Sequence, residues 1–192
     1  MVTKQTAISA ERFAQAPTYA QYIAQIEKNK DEFAFNYENT TVPEEYAQRL
    51  RAVVARPNGP KKVLVLGEDW CPDVYRGLPV LQRIAEAAGM DLRVLARDQN
   101  LDIADQYLNK GEFRSIPTAI FLTEDLDQVA VFIERPERVT AELPLMTKLL
   151  EGRTREEAAD DLRAFRRGPI WARWRQYTIE DVTELLEKAT AS

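Results

Sequence analysis

Val63-Leu64-Val65-Leu66 and, three residues later, Trp70-Cys71-Pro72-Asp73-Val74 form the stretch that decides the fold expected for this chain. The apolar run predicts a buried strand. Pro72 suits the first turn of a following helix, because its missing N–H is one of the donors that a helix start leaves unpaired. The sequence therefore predicts that Cys71 lies at a helix N-terminus, where backbone N–H groups and the helix dipole favour the thiolate.

Cys71 is the only cysteine in 192 residues, and the chain contains no histidine. One cysteine cannot form a disulfide within the chain, and histidine is the commonest metal ligand and the usual general base. These counts exclude a zinc framework and also serine–histidine or cysteine–histidine catalysis within one chain. We expect neither a bound metal nor a bound cofactor.

The composition predicts one compact unit, since 45% apolar residues allow one sizeable core. The first residues contain no hydrophobic signal core, and no stretch reaches the ~18 apolar residues that span a bilayer. We therefore expect a cytoplasmic protein that has no membrane partner. The net charge of −5 argues against a surface that binds nucleic acid over the whole protein. The oligomeric state does not follow from the sequence.

Hydrophobic spacing and turn residues predict alternating strands and helices. The strands are expected near 62–67, 92–96, 118–123 and 129–134. The helices are expected near 9–35 with an interruption at Pro17, near 43–54, 72–88, 101–109 and 138–150, and after Thr178. Thr41 and Glu44 predict a capping box for the second of these helices, and Asp181 completes a cap for the last. A turn over 123–127 joins the last two strands.

A second motif, Ile116-Pro117-Thr118, lies upstream of the apolar run Ala119-Ile120-Phe121-Leu122. Together with the order of the elements, the two motifs resemble the thioredoxin superfamily, in which this proline is cis and packs against the active-site sulfur. More closely, the chain is similar to bacterial thioredoxin-like proteins with a helical N-terminal extension and a Trp-Cys-x-Asp-Cys core. That resemblance covers roughly residues 10–150 and is also carried by Pro79 and by the segments 35–39, 66–70 and 102–108.

The resemblance implies an α/β, thioredoxin-like three-layer fold with a central mixed sheet. A thioredoxin-like domain over 61–150 would carry helical extensions over 1–60 and 151–192, all in one compact unit. Cys71 would be the catalytic nucleophile, and Pro117 would shape a substrate groove in which Ile116 offers its backbone. Trp70 and Pro72 would line the same groove. Val74 stands where the family has its second, resolving cysteine.

Two functions follow from these residues. Without a partner at position 74, Cys71 supports only monothiol thiol–disulfide exchange with a protein or small-molecule substrate, resolved by an external thiol such as glutathione. The alternative is a redox-inactive thioredoxin fold that acts as a protein- or peptide-binding module, so enzymatic activity stays open. A third possibility, dimerisation through an intermolecular Cys71 disulfide, is disfavoured in a reducing cytosol.

Several charged residues near Cys71 bear on its reactivity. Val65 stands where thioredoxins keep a buried carboxylate, so that proton-transfer group is missing. Glu68, Asp69 and Asp73 would disfavour the thiolate, because like charge raises a thiol pKa. Arg76 and Arg114 would offset this effect if they faced the sulfur. Equally, all five charged side chains could form an ordinary solvated surface.

Arginine and aromatic residues alternate near the C-terminus, and two interpretations fit them. The cluster contains Arg163, Phe165, Arg166, Arg167, Trp171, Arg173, Trp174 and Arg175. It could bind phosphate or single-stranded nucleic acid by charge and stacking. Alternatively, the aromatic residues and Tyr177 anchor the extension while the arginines pair with acids, of which Glu156, Glu157, Asp160 and Asp161 are close in sequence. We expect the anchoring role, and no nucleic-acid partner.

Overall fold

A computed structural model describes residues 8–191, which contain four strands and ten α-helices. The strands are β1 (Lys62–Gly67), β2 (Asp91–Ala96), β3 (Thr118–Leu122) and β4 (Gln128–Ile133). The helices are α1 (Ala10–Gln15), α2 (Tyr19–Gln25), α3 (Lys30–Glu38), α4 (Glu44–Val54), α5 (Pro72–Ala88), α6 (Leu101–Ala104), α7 (Glu137–Glu142), α8 (Pro144–Thr147), α9 (Ala159–Arg167) and α10 (Pro169–Thr190). None of these helices is both long and apolar enough to cross a bilayer.

The strands form one mixed sheet in the order β2-β1-β3-β4. β1 is parallel to β2 and antiparallel to β3, and β3 is antiparallel to β4. Residues 63–66 of β1 are fully buried, because β1 has a neighbouring strand on each side and helices pack on the sheet. The predicted α/β fold with a central mixed sheet and helical extensions is confirmed.

Helix α5 links β1 to β2 and is buried along most of its length. It contacts both of those strands, and α3, α4 and α10 pack against it from outside. Pro72 is its first residue, Pro79 lies within it, and Gly89 ends it in the left-handed conformation with φ 77°. The helical extensions therefore cover the helix that follows Cys71.

The N-terminal extension contains three short helices where the sequence predicted one that is interrupted only at Pro17. α1 ends before Pro17 because the residue preceding a proline disfavours helical backbone, and Ala16 is extended. A second break follows α2, where the Asp69 carboxylate accepts hydrogen bonds from the N–H groups of Glu27 and Lys28. Asn29 then starts α3 from a left-handed backbone with φ 56°.

Three further boundaries differ from the sequence prediction. The prediction of a capping box from Thr41 and Glu44 is wrong, since Pro43 is the N-cap residue of α4 and no side chain caps the helix. The helix expected over 101–109 ends at Ala104, and the one over 138–150 is divided near Pro144.

The last helix starts well before the position predicted from the sequence. α10 begins at Pro169, which occupies its first turn, and continues through Thr178 to Thr190. Asp181 consequently lies inside α10 and pairs with Arg138 instead of capping a helix start. Because Pro169 starts this helix, Thr178 lies inside it, and the helix start predicted after Thr178 is wrong.

The aromatic residues of the C-terminal extension anchor it to the rest of the fold. Trp171 and Trp174 are at most 1% exposed, and their indole N–H groups donate to Asn36 Oδ1 and to Glu142 Oε2, at 2.9 and 2.8 Å. Buried rings cannot stack on the bases of a nucleic acid. Trp171 thereby ties α10 to α3.

The arginine partners predicted from sequence proximity are wrong. Arg167 pairs with Glu32 of α3 at 2.5 Å, and Arg173 pairs with Glu142 at 2.8 Å. Arg175 donates to Asn36 Oδ1 and to the carbonyl of Asn39. The chain folds back on itself, so the partners come from distant elements that proximity in sequence does not reveal.

We predict that Trp171→Phe lowers the free energy of unfolding by about 2 kcal/mol, because it removes a buried donor and leaves Asn36 Oδ1 with less compensation. Trp70→Phe is the matched control and should change stability by about 0.5 kcal/mol or less, since Trp70 is 46% exposed. Urea denaturation followed by circular dichroism measures both. Equal effects of the two substitutions would contradict anchoring through Trp171.

Candidate active site

Cys71 occupies the predicted position between β1 and α5. It is the N-cap residue of α5, and its carbonyl oxygen accepts from the N–H groups of Val74 and Tyr75 at 3.0 and 3.1 Å. Its own N–H donates to the carbonyl of Glu68 at 3.2 Å, which closes the turn after β1. The side chain is partly exposed and is the only thiol of the chain.

The strand register brings Cys71 and Pro117 together. Thr118, the first residue of β3, pairs with Leu66 near the end of β1, so the residues before Thr118 lie beside those that follow β1. The Ile116–Pro117 peptide bond is cis. Cys71 Sγ lies 3.8 Å from the carbonyl oxygen of Ile116, toward which its S–H can donate a weak hydrogen bond.

Pro117 is held between α5 and the end of β4. Its carbonyl accepts from the N–H of Glu134 at 2.7 Å. A methyl group added at Gly77 of α5 would lie 3.1 Å from Pro117 Cγ, so the missing side chain of Gly77 allows the close approach.

The other predicted site residues have different environments. Trp70 is largely exposed, and the guanidinium of Arg97 lies 5.5 Å from its ring centre. Pro72 flanks Cys71 as the first residue of α5. Val74 is fully buried, and a Cβ at Gly67 would lie 2.9 Å from its Cγ1. The resolving position therefore points into the interior against the end of β1.

Burial raises the pKa of the Cys71 thiol above its ordinary value. Backbone N–H groups of Val74 and Asp73 lower the pKa, the Asp73 carboxylate raises it and Arg135 lowers it. The predicted stabilisation of the thiolate by the helix start is thus present, but desolvation outweighs it.

The charged residues that were expected near Cys71 are mostly bonded elsewhere. Glu68 Oε1 accepts from the N–H of Asp98 at 2.8 Å, and Asp69 binds the backbone before α3. Arg114 pairs with Asp105 on the surface. The solvated-surface interpretation therefore holds for Arg114, which is exposed and pairs with Asp105, but not for Arg76, which is buried.

Asp73, which is partly buried, forms an ion pair with the buried Arg76. Arg76 Nη2 donates to Asp73 Oδ1 at 2.7 Å, and Arg76 is only 2% exposed. Arg135 Nη1 donates to Asp73 Oδ2 at 2.8 Å. The guanidinium of Arg76 also lies 5.4 and 5.5 Å from the ring centres of Trp171 and Trp174. The site is thereby connected to the C-terminal extension through one carboxylate.

Sequence reasoning missed Arg135 and Phe113. The hairpin of β3 and β4 pairs Thr118 with Ile133, so residues after Ile133 return to Pro117, and this hairpin was the signal that could have located Arg135. Phe113 is 58% exposed in the segment before Pro117. No pattern in a single sequence predicts that a particular phenylalanine is exposed.

Two open clefts flank the segment that contains Phe113. The larger, about 870 Å³, is lined by Asn109, Lys110, Phe113, Ser115, Ile133, Glu134, Arg135, Glu137, Thr140 and Ala141. The smaller, about 600 Å³, is lined by Arg97, Asp98, Leu101, Glu112, Phe113, Arg114 and Ser115. Cys71 lines neither cleft. Within residues 8–191, no group of three or more cysteine and carboxylate residues could hold a metal ion.

The sequence model of a family described as thioredoxin matches residues 16–150. The chain belongs to the thioredoxin family. The match begins before α2, so the thioredoxin-family segment includes most of the helices that precede β1. No curated protein matches this thioredoxin-family chain.

Two solved structures share the thioredoxin-family fold of this chain. A protein of unknown function from Pseudomonas aeruginosa is 21% identical, with a TM-score of 0.66 over 97% of this chain and 99% of that one. An HIV epitope scaffold is also 21% identical, with a TM-score of 0.66 over 96% of this chain and 99% of that one. At this identity, both similarities establish the fold alone.

We predict that Cys71 is alkylated by iodoacetamide with a pH midpoint above that of the unfolded chain, near ~8.5, because burial raises the thiol pKa. At neutral pH the folded protein should therefore react more slowly than the protein in urea. Rates measured by intact mass from pH 6 to 11 give both midpoints. A folded midpoint below the unfolded one would show that the helix start outweighs burial.

We predict that Asp73→Asn lowers the free energy of unfolding by about 3 kcal/mol, since it leaves the buried Arg76 charge without its carboxylate. Asp105→Asn is the matched control, because Asp105 pairs with Arg114 at the exposed surface. Its urea midpoint should stay close to that of the unmodified protein. Similar midpoints for the two variants would contradict a structural role for the Asp73 pair.

Proposed function

We propose that this thioredoxin-family protein carries out monothiol thiol–disulfide exchange with Cys71 as its nucleophile. The observation that supports this function is the position of Cys71 Sγ, which is partly exposed and 3.8 Å from the Ile116 carbonyl beside cis-Pro117. A substrate disulfide that reaches this sulfur would also lie against the main chain of Ile116. Cys71 and Ile116 would then act on the same molecule.

The reaction consists of two balanced exchanges. The Cys71 thiolate attacks one sulfur of a substrate disulfide, which forms a mixed disulfide and releases the other sulfur as a thiolate. An external thiolate such as that of glutathione then attacks the substrate sulfur and releases Cys71 as the thiolate. The external thiol supplies the second sulfur because position 74 holds a buried valine.

The backbone at Ile116 supports recognition of an extended substrate. Within residues 8–191, the N–H and C=O of Ile116 have no main-chain hydrogen-bond partner, and Ile116 precedes β3. An extended peptide could pair with these groups in the manner of an added strand. Trp70 and Pro72 would border the peptide on the Cys71 side, which gives each predicted groove residue a role in the proposal.

The second candidate function is a redox-inactive thioredoxin fold that binds a protein or peptide. The observation that favours it is the burial of Cys71, which raises the thiol pKa and slows attack at neutral pH. Under this function the backbone at Ile116, which has no main-chain partner within residues 8–191, is used for binding alone. The substitution of a carboxylate by Val65 and of a cysteine by Val74 would then reflect loss of redox chemistry.

We predict that the protein forms a mixed disulfide with glutathione when incubated with glutathione disulfide, and that the rate rises steadily from pH 7 to 10 because the Cys71 pKa is raised. Intact mass spectrometry detects the added glutathionyl group, and added reduced glutathione should remove it. Cys71→Ser is the control and should gain no mass.

The competing function predicts a different result from the same experiment. Absence of the adduct at pH 10, where the thiol of the urea-unfolded protein still reacts, would contradict thiol exchange and favour the binding module. Reaction of the urea-unfolded protein shows that the reagent is active. Absence of the adduct in the folded protein then means that the folded thiol does not react.

A further inference from the structure

Glu134, the residue that follows β4, has a left-handed backbone with φ 66°. This conformation is unfavourable for a residue with a side chain, and it persists only where the surrounding structure holds it. A glycine would adopt the same backbone freely. The glutamate at this position therefore has to be explained by the contacts that its side chain makes.

Glu134 is bonded to both sides of the Ile116–Pro117 peptide bond. Its N–H donates to the carbonyl of Pro117 at 2.7 Å, and its Oε2 accepts from Asn109 Nδ2 at 2.9 Å. The same amide nitrogen of Asn109 donates to Ser115 Oγ at 3.1 Å. Ser115 directly precedes Ile116, so Glu134 reaches Pro117 directly and the residue before Ile116 through Asn109.

The segment that Asn109 joins to Glu134 is itself held by hydrogen bonds. The N–H of Asn109 donates to the carbonyl of Phe113 at 2.7 Å, and its carbonyl accepts from the N–H of Phe113 at 3.0 Å. At the other end, the carbonyl of Ser115 accepts from Thr118 Oγ1 at 2.8 Å. The segment is thus internally fixed, and the Asn109 amide connects it to Glu134.

The second carboxylate oxygen of Glu134 leads to the first turn of α5. Glu134 Oε1 accepts from Arg135 Nη2, and Arg135 Nη1 donates to Asp73 Oδ2 at 2.8 Å. Asp73 lies two residues after Cys71. A continuous series of polar groups therefore runs from the helix start that follows Cys71 to the segment that precedes Ile116. Its bonds between charged groups are the stronger kind of hydrogen bond.

The two groups at the ends of this series are those that would act on a substrate. Cys71 Sγ lies 3.8 Å from the carbonyl oxygen of Ile116, and an S–H is only a weak donor. That contact by itself does not fix their separation. Reaction rates depend steeply on such distances, so a site of this kind needs supporting residues that hold its groups in place.

We propose that Glu134 is a positioning residue of the exchange reaction. Through Asn109 and Arg135 it holds the Ile116 main chain at a fixed distance from Cys71, so that an extended polypeptide disulfide meets both groups at once. This role rests on the proposed function, because it assigns a residue to that reaction. Loss of the Glu134 side chain should impair recognition of an extended substrate more than the reaction of the thiol with a small disulfide.

The test compares two probes that have one leaving group in common. Both are mixed disulfides of pyridinethiol, one with ethanethiol and one with the cysteine of an extended threonine- and valine-rich peptide. The Cys71 thiolate attacks the sulfur of ethanethiol or of the peptide, and the pyridyl sulfur leaves as thiopyridone, whose absorbance gives the rate. The peptide-to-ethyl ratio of the two rates measures recognition of the peptide, since a change in the thiol pKa alters both rates alike. The ratio for the urea-unfolded protein is the reference.

We expect the folded, unmodified protein to exceed the reference ratio at least about fivefold, which corresponds to one net backbone hydrogen bond. Glu134→Gly removes the side chain and suits the left-handed backbone, so it should bring the ratio to within about twofold of the reference. Its urea midpoint should stay close to that of the unmodified protein, because the relief of the backbone offsets the lost bonds. This result would separate positioning from stability.

Three further variants locate the effect. Lys110→Gly is the matched control, because Lys110 has a left-handed backbone with φ 53° in the same segment and its side chain forms no hydrogen bond or ion pair within the described residues 8–191. It should keep the full ratio. Glu134→Gln retains an acceptor for Asn109 and should keep most of the ratio. Asn109→Ala should lower the ratio as Glu134→Gly does.

The possible outcomes distinguish this role from the exchange reaction. A ratio that Glu134→Gly leaves unchanged, or that Lys110→Gly lowers equally, would overturn the role of Glu134 and leave the exchange reaction supported. A ratio for the folded, unmodified protein equal to the reference would overturn it as well, since no extended substrate would then be recognised. Failure of both probes to react with the folded protein would contradict the exchange reaction itself, and the positioning role with it.

Discussion

The pairing of β1 with β3 is the constraint on which the site depends. β1 is buried between two neighbours, and its antiparallel register with β3 places Leu66 opposite Thr118. Both faces of β1 and β3 are buried, so a shift of one residue would exchange the side chains that pack against the two sides of the sheet, and the packing of these side chains fixes the register. The same register sets Cys71 beside Ile116 and cis-Pro117. The position of the thiol is thus a consequence of how the core packs.

The packing that creates this arrangement also limits the reactivity of the thiol. Cys71 is the N-cap residue of α5, and the N–H groups of Asp73 and Val74 in the first turn lower the thiol pKa. Yet the sulfur is also partly buried, and this desolvation raises the pKa by more. Asp73 holds Arg76 and Arg135 in the same region and so joins the site to the tryptophans of α10.

The N-terminal extension has a consequence of its own, because α2 and the loop after it form one wall of a cleft at the ends of β1 and β2. Asp69 holds that loop by accepting its N–H groups, so the residues that precede Cys71 organise both the thiol site and the neighbouring cleft. Tyr22 of α2 lines this cleft, and its hydroxyl is buried without a hydrogen-bond partner among residues 8–191. The cleft itself depends on the contact between the N-terminal extension and the sheet.

The sequence by itself determined the central elements and the position of Cys71. β1, α5 and the hairpin of β3 and β4 follow from local apolar patterns, from Pro72 and from turn residues, all of which act over a few positions. Tertiary structure alone decided the direction of the Cys71 pKa shift, the burial of Val74 and of the Asp73–Arg76 pair, and the partners of the C-terminal arginines. The break before α3 also depends on distant hydrogen bonds, those that Asp69 accepts from the backbone of Glu27 and Lys28. These properties depend on groups that are far apart in the chain, and desolvation is set by the three-dimensional surroundings, which no local pattern encodes.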